Sequence, residues 1–498
     1  MSKNIKRLVV LLLAVCLASV LFACGGEPAT STPDANSNGG SGNGSAAESK
    51  EEIVIDDYDH TIVFYSTQGD ALQAKTQIAI DAFEAKYPGW KVVHTQVGGY
   101  DDVKAKVVAD LQGGLQPDLA YCYPDHVAQY LQTSKVVDMS KYINSTETVK
   151  DAGGNDVTVG YSAEELADFV EGYYNEGKAY NYGEYKTYGY GDDAIMTLPF
   201  VKSTELLYYN ADALIGAGLY TTDDAGNKIP TVAKTWDELW AQCDAIRKTY
   251  PTATPLGYDS EANWFITMCE QNGWGYTSAD SANHYLFNND KTTAWLDDLA
   301  EYYDKGYIVT QKEYGSYTSN LFTKGMDEGG IVYCIGSSGG ASYQASNKFT
   351  WGVAAVPGSK QADGSVNKAV ISQGPSLCML YSDKAKDQDE KAKMTFLFVK
   401  ELLDPVFQAE FGIASGYNPC RKSTINVEAY QEHLDGDSIT AVAASVATTM
   451  VNDFFTSPAF VGSSTAREQV GMVIVYVITG QKSAAKALAD AYSNCGGK

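Results

Sequence analysis

Apolar and polar residues alternate along the chain in blocks that predict strands followed by helices. The run TIVFYST (61–67) is rich in β-branched and aromatic residues, and apolar residues then recur at helical spacing as far as Tyr87. KVVHTQV (91–97) and PDLAYCY (117–123) predict two further strands, with a second helix between them that begins near Asp101. Three strands joined by two helices predict a parallel sheet with helices on both faces.

The same alternation restarts in the second half of the chain. MTLPFVKSTELLYYN (196–210) predicts extended chain interrupted by Pro199, and the segment 235–251 predicts a helix opened by a capping box of Thr235 and Glu238. The further predicted elements are strands within GGIVYCIG and FTWGVAAVPG and helices at 387–411 and 464–494. We therefore expect an α/β protein of two lobes, with a ligand cleft between them at the carboxyl ends of the strands.

The first 23 residues have the pattern of an export signal. Three basic residues precede the apolar segment Leu8–Ala23, which is too short for a spanning helix of roughly 20 residues. The segment ends in Leu21-Phe22-Ala23-Cys24, which resembles the lipobox of bacterial lipoproteins. The resemblance implies cleavage before Cys24 and acylation of its thiol, with the protein lipid-anchored on the outer face of the cell membrane.

Residues 25–50 carry no apolar side chain larger than alanine and cannot form a core. As a flexible coil they span about 28 Å, so they predict a tether. The expected divisions are a signal peptide at 1–23, an anchor and tether at 24–56, one lobe from 57–201 plus 352–402, and a second from 202–351 plus 403–498. We expect the chain to cross between the lobes near Pro199–Thr204, Thr350–Gly352 and Leu402–Pro405.

Charge and cysteine usage narrow the functional classes. The formal net charge is −25, and it becomes −28 once the three basic signal residues are removed, which disfavours nucleic acid and anionic lipid as partners. The seven cysteines beyond Cys24 have wide, irregular spacings, and the five histidines form no close pair. We therefore expect neither a disulfide framework nor a metal site.

Six segments carry a resemblance to a known family: DAFEAKYPGWKVV, GGYDD…LQGGLQPDLAY, LPFVKSTELLYYN, KTWDEL, SGYNPCRKS and AREQVGMVIVYVITGQKSAAKAL. In this order they resemble the family 1 extracellular solute-binding proteins of ABC importers. The resemblance implies a two-lobed, periplasmic-binding-protein-like fold of type II, the Venus flytrap. It implies a monomer without cofactor that captures a small solute and delivers it to a membrane permease with a cytoplasmic ATPase.

Within that family the sequence looks most similar to the glycerol-3-phosphate-binding branch. The resemblance implies ligand contacts at Tyr100, Ser203, Ser337, Gly374, Tyr417 and Arg467. The branch's acidic cleft residue falls on Pro124, with Asp125 beside it, and its two tryptophans fall on Ala262 and Phe265, with Trp264 between them. These departures leave the solute open.

The candidate side chains also have a chemical rationale. Arg467 is one of three arginines beyond the signal, and a guanidinium can hold phosphate or carboxylate bidentately; alternatively it pairs with a neighbouring carboxylate. Aromatic planes stack on sugar rings, although most aromatic residues in a large protein are core. The stacking candidates are Trp264, Phe265, Trp274 and Tyr417, with Trp351 less favoured. The tyrosine-rich stretch 173–191 overhangs the cleft or forms a solvated insertion.

An enzyme remains the alternative of another class. Gly336-Ser337-Ser338-Gly339-Gly340 fits the G-x-S-x-G pattern of a serine hydrolase, with Asp383 or Asp404 and then His433 downstream, but the same turn, Ser338 included, also fits a ligand-binding role. Asp297-Asp298 could serve a glycoside hydrolase, although they fit a solvated helix face. We predict a binding protein for a carbohydrate or similar polar solute, with glycerol-3-phosphate or a glycerophosphodiester as the alternative.

Overall fold

The three strands predicted between residues 61 and 123 lie side by side in a computed structural model, which describes residues 55–180, 182–279 and 282–497. Thr61–Ser66 is the middle strand and pairs in parallel with Lys91–Gln96 and Leu119–Cys122, as predicted. Two antiparallel strands, Ser376–Met379 and Leu198–Pro199, extend the sheet beyond Leu119–Cys122. The first sheet is therefore mixed, because these two strands come from chain that enters or leaves the other lobe.

Helices cover this sheet and form lobe 1 with it. They are Asp70–Lys86, Tyr100–Gly113, Pro124–Tyr130, Ser140–Ile143, Ala163–Ala167, Glu171–Asn175, Tyr182–Thr187, Gln388–Leu402, Pro405–Ser415 and Glu428–Leu434. A hairpin of Thr148–Lys150 and Asp156–Thr158 adds to the lobe. The core of lobe 1 joins side chains from both halves of the chain, such as Phe64, Phe83 and Phe398, because the buried strands present apolar residues to both faces.

A second five-stranded sheet forms lobe 2. Its order is Ile308–Thr310, Leu256–Tyr258, Tyr333–Ser337, Glu205–Asn210 and Trp351–Ala355. Its helices are Ala211–Gly216, Trp236–Thr249, Glu261–Asn272, Asp290–Asp304, Gln311–Tyr314, Ser319–Phe322, Ile439–Thr449, Ser463–Ile478 and Ala484–Asn494. Two hairpins complete it, Tyr220–Thr222 with Lys228–Pro230 and Ser359–Lys360 with Val366–Asn367.

Short strand pairs join the lobes. Val201–Lys202 pairs with Asn418–Pro419, and Val370–Ile371 pairs with Phe454–Phe455. The first crossing lies where it was expected, between Leu198–Pro199 in one sheet and Glu205–Asn210 in the other.

The expected second and third crossings were wrong. Strand Trp351–Ala355 pairs with Glu205–Asn210, so the chain returns to lobe 1 only at residues 372–375. Helix Pro405–Ser415 packs on lobe 1, where Phe411 joins the core, and lobe 2 resumes at Ile439. The segments 352–371 and 403–434 therefore lie in the lobes opposite to those expected, because hydrophobic periodicity does not specify which core a helix joins.

Helix ends follow local chemistry. The predicted helix 387–411 is interrupted at Asp404, whose carboxylate caps the next helix by accepting from Val406 N at 2.9 Å, and the following proline cannot continue a helix. The predicted helix 464–494 ends at Ile478, two residues before Gly480, which has φ +68°. Thr235 caps Trp236–Thr249 as predicted, whereas Glu238 accepts from Lys234 N rather than from Thr235 N.

The predicted signal peptide, the lipid-bearing Cys24 and most of the tether lie outside the described residues. The described residues all belong to the unit Gly39–Lys498. None of its described helices is long and apolar enough to cross a membrane. The seven cysteines that follow Cys24 in the sequence are free thiols, and six of them are buried.

Candidate functional site

A cavity of about 60 Å³ lies between the two lobes. It is lined from lobe 1 by Tyr123, Pro124, Asp125 and Glu176, and from lobe 2 and the crossing segments by Tyr276, Ile371, Ser372, Gln373, Thr456, Ser457, Pro458, Ser463 and Arg467. Tyr123 directly follows strand Leu119–Cys122, so the cavity lies at the carboxyl edge of the parallel strands, as expected. We call this cavity and its walls the cleft.

The lobes touch across the cleft. Lys104 of lobe 1 donates from Nζ to Ser464 Oγ of lobe 2 at 3.1 Å. On another side, a Cβ on Gly339 would lie 3.1 Å from the ring of Tyr417. The cavity is several times smaller than the roughly 300–1,000 Å³ of small-molecule sites. In this arrangement of the lobes the cavity is therefore smaller than a site of that kind.

Three tyrosines of lobe 1 lie together beside the cleft, and one of them, Tyr123, lines the cavity itself. Tyr100 begins its helix after Gly98 and Gly99, and its ring stacks on Tyr123 with centroids 4.5 Å apart. Its hydroxyl is hydrogen-bonded to that of Tyr417, and burial raises the pKa of Tyr100 well above its ordinary value. These rings combine apolar faces with hydroxyl donors and acceptors, which suits a polyol or sugar.

Arg467 lies in the second turn of helix Ser463–Ile478, and its guanidinium lines the cleft. Nη2 donates to the amide oxygen of Asn263, which is 2% exposed. Among the described residues, no carboxylate forms an ion pair with this guanidinium, so the alternative that Arg467 is charge-paired is not observed. Because the start of the same helix also faces the cleft at Ser463, this wall presents positive potential to an anion.

Acidic groups at the cleft differ in how they are neutralised. Glu176 forms an ion pair with Lys202 at 2.6 Å, with the two side chains 3% and 0% exposed. Asp101 pairs with Lys104 at 2.8 Å near the cleft mouth. Asp125 lines the cavity 3.9 Å from the ring of His126, and burial lowers the pKa of that imidazole. Asp125 is therefore the acid in the cleft wall without a lysine or arginine partner among the described residues.

Two of the expected site residues belong to the crossing strands. Ser203 exchanges two backbone hydrogen bonds with Gln373, at 2.9 and 2.8 Å, and is 3% exposed. Gly374 has φ +92°, and a Cβ there would lie 2.6 Å from the carbonyl oxygen of Val201. Both residues shape the hinge, while the neighbouring Gln373 side chain lines the cleft.

The Gly-Ser turn is engaged in structural hydrogen bonds. Ser337 Oγ accepts from Gly339 N at 3.1 Å, and Ser338 Oγ, which is fully buried, accepts from Thr204 N at 3.2 Å. The other members of the hydrolase hypothesis lie elsewhere. Asp383 pairs with Lys135, Asp404 caps a helix, and His433 packs beside Tyr430. No contact in the described residues joins them to Ser338, and the exposed Asp297-Asp298 pair is a solvated helix face.

Trp264 and Phe265 are core residues, which corrects their expected contact with solute. Both are 0% exposed; Trp264 stacks on Tyr258 at 4.6 Å, and Phe265 packs on Phe287 and Trp295. Helix Glu261–Asn272 is buried on nearly every face, so an aromatic residue there packs inward whatever its position. Trp274 is half-buried against Trp295 and does not line the cleft, and Trp351 packs on the core of lobe 2.

Sequence analysis did not predict several residues that line the cleft or contact Arg467. Tyr123 had a signal, because it directly follows a predicted parallel strand. Glu176 lies within the tyrosine-rich stretch, where the side chains of Tyr173, Tyr180 and Tyr185 are buried, so these three tyrosines are core residues. Tyr276, Gln373 and Asn263 had no periodicity or motif to mark them.

Comparisons with known proteins agree with this architecture. A family model described as bacterial extracellular solute-binding protein matches residues 79–435. The sn-glycerol-3-phosphate-binding periplasmic protein UgpB of Escherichia coli O1:K1 / APEC is 24% identical over 383 residues, which cover 74% of this chain and 76% of that protein.

Two solved structures share the fold. UgpB from Mycobacterium tuberculosis in complex with glycerophosphocholine has a TM-score of 0.66 at 18% identity, covering 88% of this chain and 97% of that chain. The ABC substrate-binding protein Lmo0181 from Listeria monocytogenes in complex with cycloalternan has a TM-score of 0.64 at 17% identity, covering 88% and 99%. These two-lobed neighbours are binding proteins rather than enzymes.

Proposed function

Because the chain belongs to the bacterial extracellular solute-binding proteins of ABC importers, we propose that it captures a small polyol bearing a phosphate, of the glycerophosphate class. The observation that carries the proposal is the Arg467 guanidinium, which faces the cleft with an amide as its hydrogen-bond partner. A half-buried cation without a paired acid favours an anion as its occupant, and a guanidinium fits phosphate in a bidentate manner.

The surrounding walls support the same solute. Hydroxyl and amide groups of Ser372, Gln373, Thr456 and Ser457 lie beside Arg467 and can bind the hydroxyls of a glycerol unit. The negative charge of the whole molecule opposes an anionic solute at long range, so the attraction must come from this sheltered wall.

Capture works through closure of the lobes. The solute enters an open form, contacts both walls and stabilises the closed form by its differential affinity, and a membrane permease then receives it from that form. A partner ATPase supplies the energy. Acylation of Cys24 holds the monomer on the outer face of the membrane, and the tether lets it reach the permease.

A neutral carbohydrate is the second candidate. Tyr123 and Asp125 form a wall of the cleft that suits a sugar ring and its hydroxyls, and Tyr100 supports this wall by stacking on Tyr123. This wall faces the cleft independently of Arg467, so the two candidates make different predictions for an arginine variant.

Isothermal titration calorimetry of the purified protein distinguishes them. We expect saturable binding of glycerol-3-phosphate or glycerophosphocholine, and loss of that binding in Arg467→Met. Arg247→Met is the matched control, because Arg247 donates to Ala253 O outside the cleft. Binding of maltose or maltotriose that survives Arg467→Met, without glycerophosphate binding, would establish the carbohydrate instead.

A further inference from the structure

A buried polar chain runs from Arg467 into lobe 2. The guanidinium donates to Asn263 Oδ1, and Asn263 Nδ2 donates to Glu205 Oε1 at 3.0 Å. The other oxygen of Glu205 accepts from the Tyr258 hydroxyl at 2.5 Å. Glu205, Asn263 and Tyr258 are each no more than 2% exposed. We call these four side chains the Arg467 network.

The two ends of the network fix the amide between them. A guanidinium only donates, and an ionised carboxylate only accepts, so Asn263 must present its oxygen to Arg467 and its nitrogen to Glu205. The reverse orientation would place the amide nitrogen against the guanidinium, donor against donor, and the amide oxygen against the carboxylate, acceptor against acceptor. Asn263 therefore holds the guanidinium in one position without neutralising its charge.

Glu205 is the anion of the Arg467 network, and the amide of Asn263 separates it from the guanidinium of Arg467. It opens strand Glu205–Asn210, directly after the first crossing between the lobes, and its backbone pairs with Ser337. The other charged group acting on it is Asp259, whose carboxylate accepts from Thr318 N and Oγ1 at 2.5 and 2.7 Å. The ionised form of Glu205 is thus stabilised by the hydrogen bonds from Tyr258 and Asn263 and by the attraction of Arg467.

We propose that Asn263 and Glu205 are positioning residues of the cleft: Asn263 aims the Arg467 guanidinium, and the charge state of Glu205 sets how much positive charge Arg467 offers the solute. The inference rests on the proposed capture of an anion. When Glu205 is ionised it offsets part of the arginine's charge, and when it is protonated the full charge faces the cleft.

Because of its environment, Glu205 changes between these two charge states near neutral pH. Burial raises the pKa of Glu205 to about 7, against the hydrogen bonds from Tyr258 and Asn263 and the attraction of Arg467. A solute anion next to Arg467 disfavours a second negative charge nearby, so solute binding takes up a proton on Glu205. By linkage, affinity for the anion falls as pH rises through about 7.

The first experiment needs no solute and follows urea unfolding of the wild type, Glu205→Gln and Arg467→Met from pH 5 to 9. A carboxyl with a raised folded-state pKa makes the folded state the better proton binder, so its stability falls as pH rises between the two values. We expect this fall between about pH 5 and 7 in the wild type, and its extension to higher pH in Arg467→Met. Glu205→Gln should show a shallower fall, because burial also raises the pKa of Asp118 and of Asp259 to about 6 and these two carboxyls still contribute. Superimposable profiles for the wild type and Glu205→Gln, or an unmoved profile in Arg467→Met, would refute the coupling.

The second experiment measures the Kd of glycerophosphocholine across the same pH range, because its phosphodiester keeps one constant charge there. We expect about fivefold weaker binding at high than at low pH in the wild type. In Glu205→Gln the binding should be independent of pH and as tight as the low-pH wild type. Tyr258→Phe, which removes one donor to the carboxylate, should move the transition to higher pH.

Two neighbours provide the competing explanations. Burial raises the pKa of Asp259 to about 6, and His126 also lies near Arg467. If Asp259→Asn or His126→Gln abolishes the pH dependence while Glu205→Gln retains it, the assignment to Glu205 is wrong. If no variant binds glycerophosphocholine but the unfolding profiles separate as expected, the network stands and the proposed anionic solute fails.

Discussion

Two arginines near the hinge illustrate two uses of the same side chain. Arg421 is 7% exposed, and its Nε lies 2.8 Å from Asp168 Oδ2, with its guanidinium 4.5 Å above the ring of Phe169. Arg467 instead donates to the neutral amide of Asn263 and faces the cleft. The charge of Arg421 is therefore neutralised within lobe 1, whereas that of Arg467 remains available.

The partners explain this difference. Asp168 also accepts from Ser423 N and Oγ, both at 2.7 Å, so its oxygens are saturated by local donors. Near Arg467 the corresponding acid is Glu205, and the amide of Asn263 lies between the two side chains. Direct pairing with Asp168 makes Arg421 a structural residue. Pairing through the amide of Asn263 fixes the position of the Arg467 guanidinium and leaves its charge available.

The largest expected effects come from replacing Arg467 and Arg421 one at a time. Arg467→Met should weaken glycerophosphate binding by about 100-fold, since charge-assisted hydrogen bonds to the solute are lost. It should lower the free energy of unfolding by only about 1 kcal/mol, because Asn263 Oδ1 loses its donor. Arg421→Met should lower the free energy of unfolding by about 3 kcal/mol, because Asp168 loses its cation, and should leave the Kd largely unchanged. Calorimetry and urea unfolding of both variants measure the contrast; equal losses of binding would contradict it.

A second substitution should convert the Arg467 site into the Arg421 type. Asn263→Asp has nearly the same shape and gives the guanidinium a direct carboxylate partner. At the other end, where Asn263 Nδ2 donated to Glu205, the two carboxyl groups then share a proton. We expect glycerophosphate affinity to fall about tenfold while the fold is retained. Circular dichroism and calorimetry test this, with Asn272→Asp on the same helix as the control. Unchanged affinity would show that a direct acid does not compete with the solute.

The reverse substitution, Asp168→Asn, should cost about 1–2 kcal/mol of stability. Partial burial raises the pKa of Asp168, but the hydrogen bonds from Ser423 and Arg421 outweigh it, and the net pKa lies below the ordinary 3.8. A lowered acid pKa gives stability that is present above the ordinary value and is lost as pH falls below it. Acid unfolding of the variant should therefore lack this loss; a profile identical to the wild type would contradict the ion pair's role.

The smallest effect concerns the wall opposite Arg467. Lys104→Met removes the hydrogen bond to Ser464 that joins the lobes, so the open form gains population and the Kd should rise about threefold. Lys106→Met is the matched control, because Lys106 pairs within its own helix with Asp110 at 3.0 Å. A similar rise in both variants would indicate a general charge effect rather than a contact across the cleft.

Tyr100 and Arg467 were predicted from the family resemblance, and the rarity of arginine in this chain was an additional reason for Arg467. The structure places Arg467 in the lining of the cleft and Tyr100 against Tyr123 beside it. Trp264 and Phe265 were wrong because burial, not residue type, decides whether an aromatic can meet a solute. Glu205 had an overlooked signal, since an acid that opens an otherwise apolar strand requires buried partners. Those partners come from distant segments, so only the tertiary fold reveals them.

The order of strands in lobe 1 also constrains when this protein can acquire its shape. Strand Ser376–Met379 lies between Leu119–Cys122 and Leu198–Pro199, so the sheet has a vacant position until that late segment arrives. The strands of the second sheet all lie between residues 205 and 355. A chain that crosses the membrane amino end first can thus assemble the later sheet while the earlier one waits. The sheet of lobe 1 is complete only when the chain is available as far as Met379, about three quarters of its length.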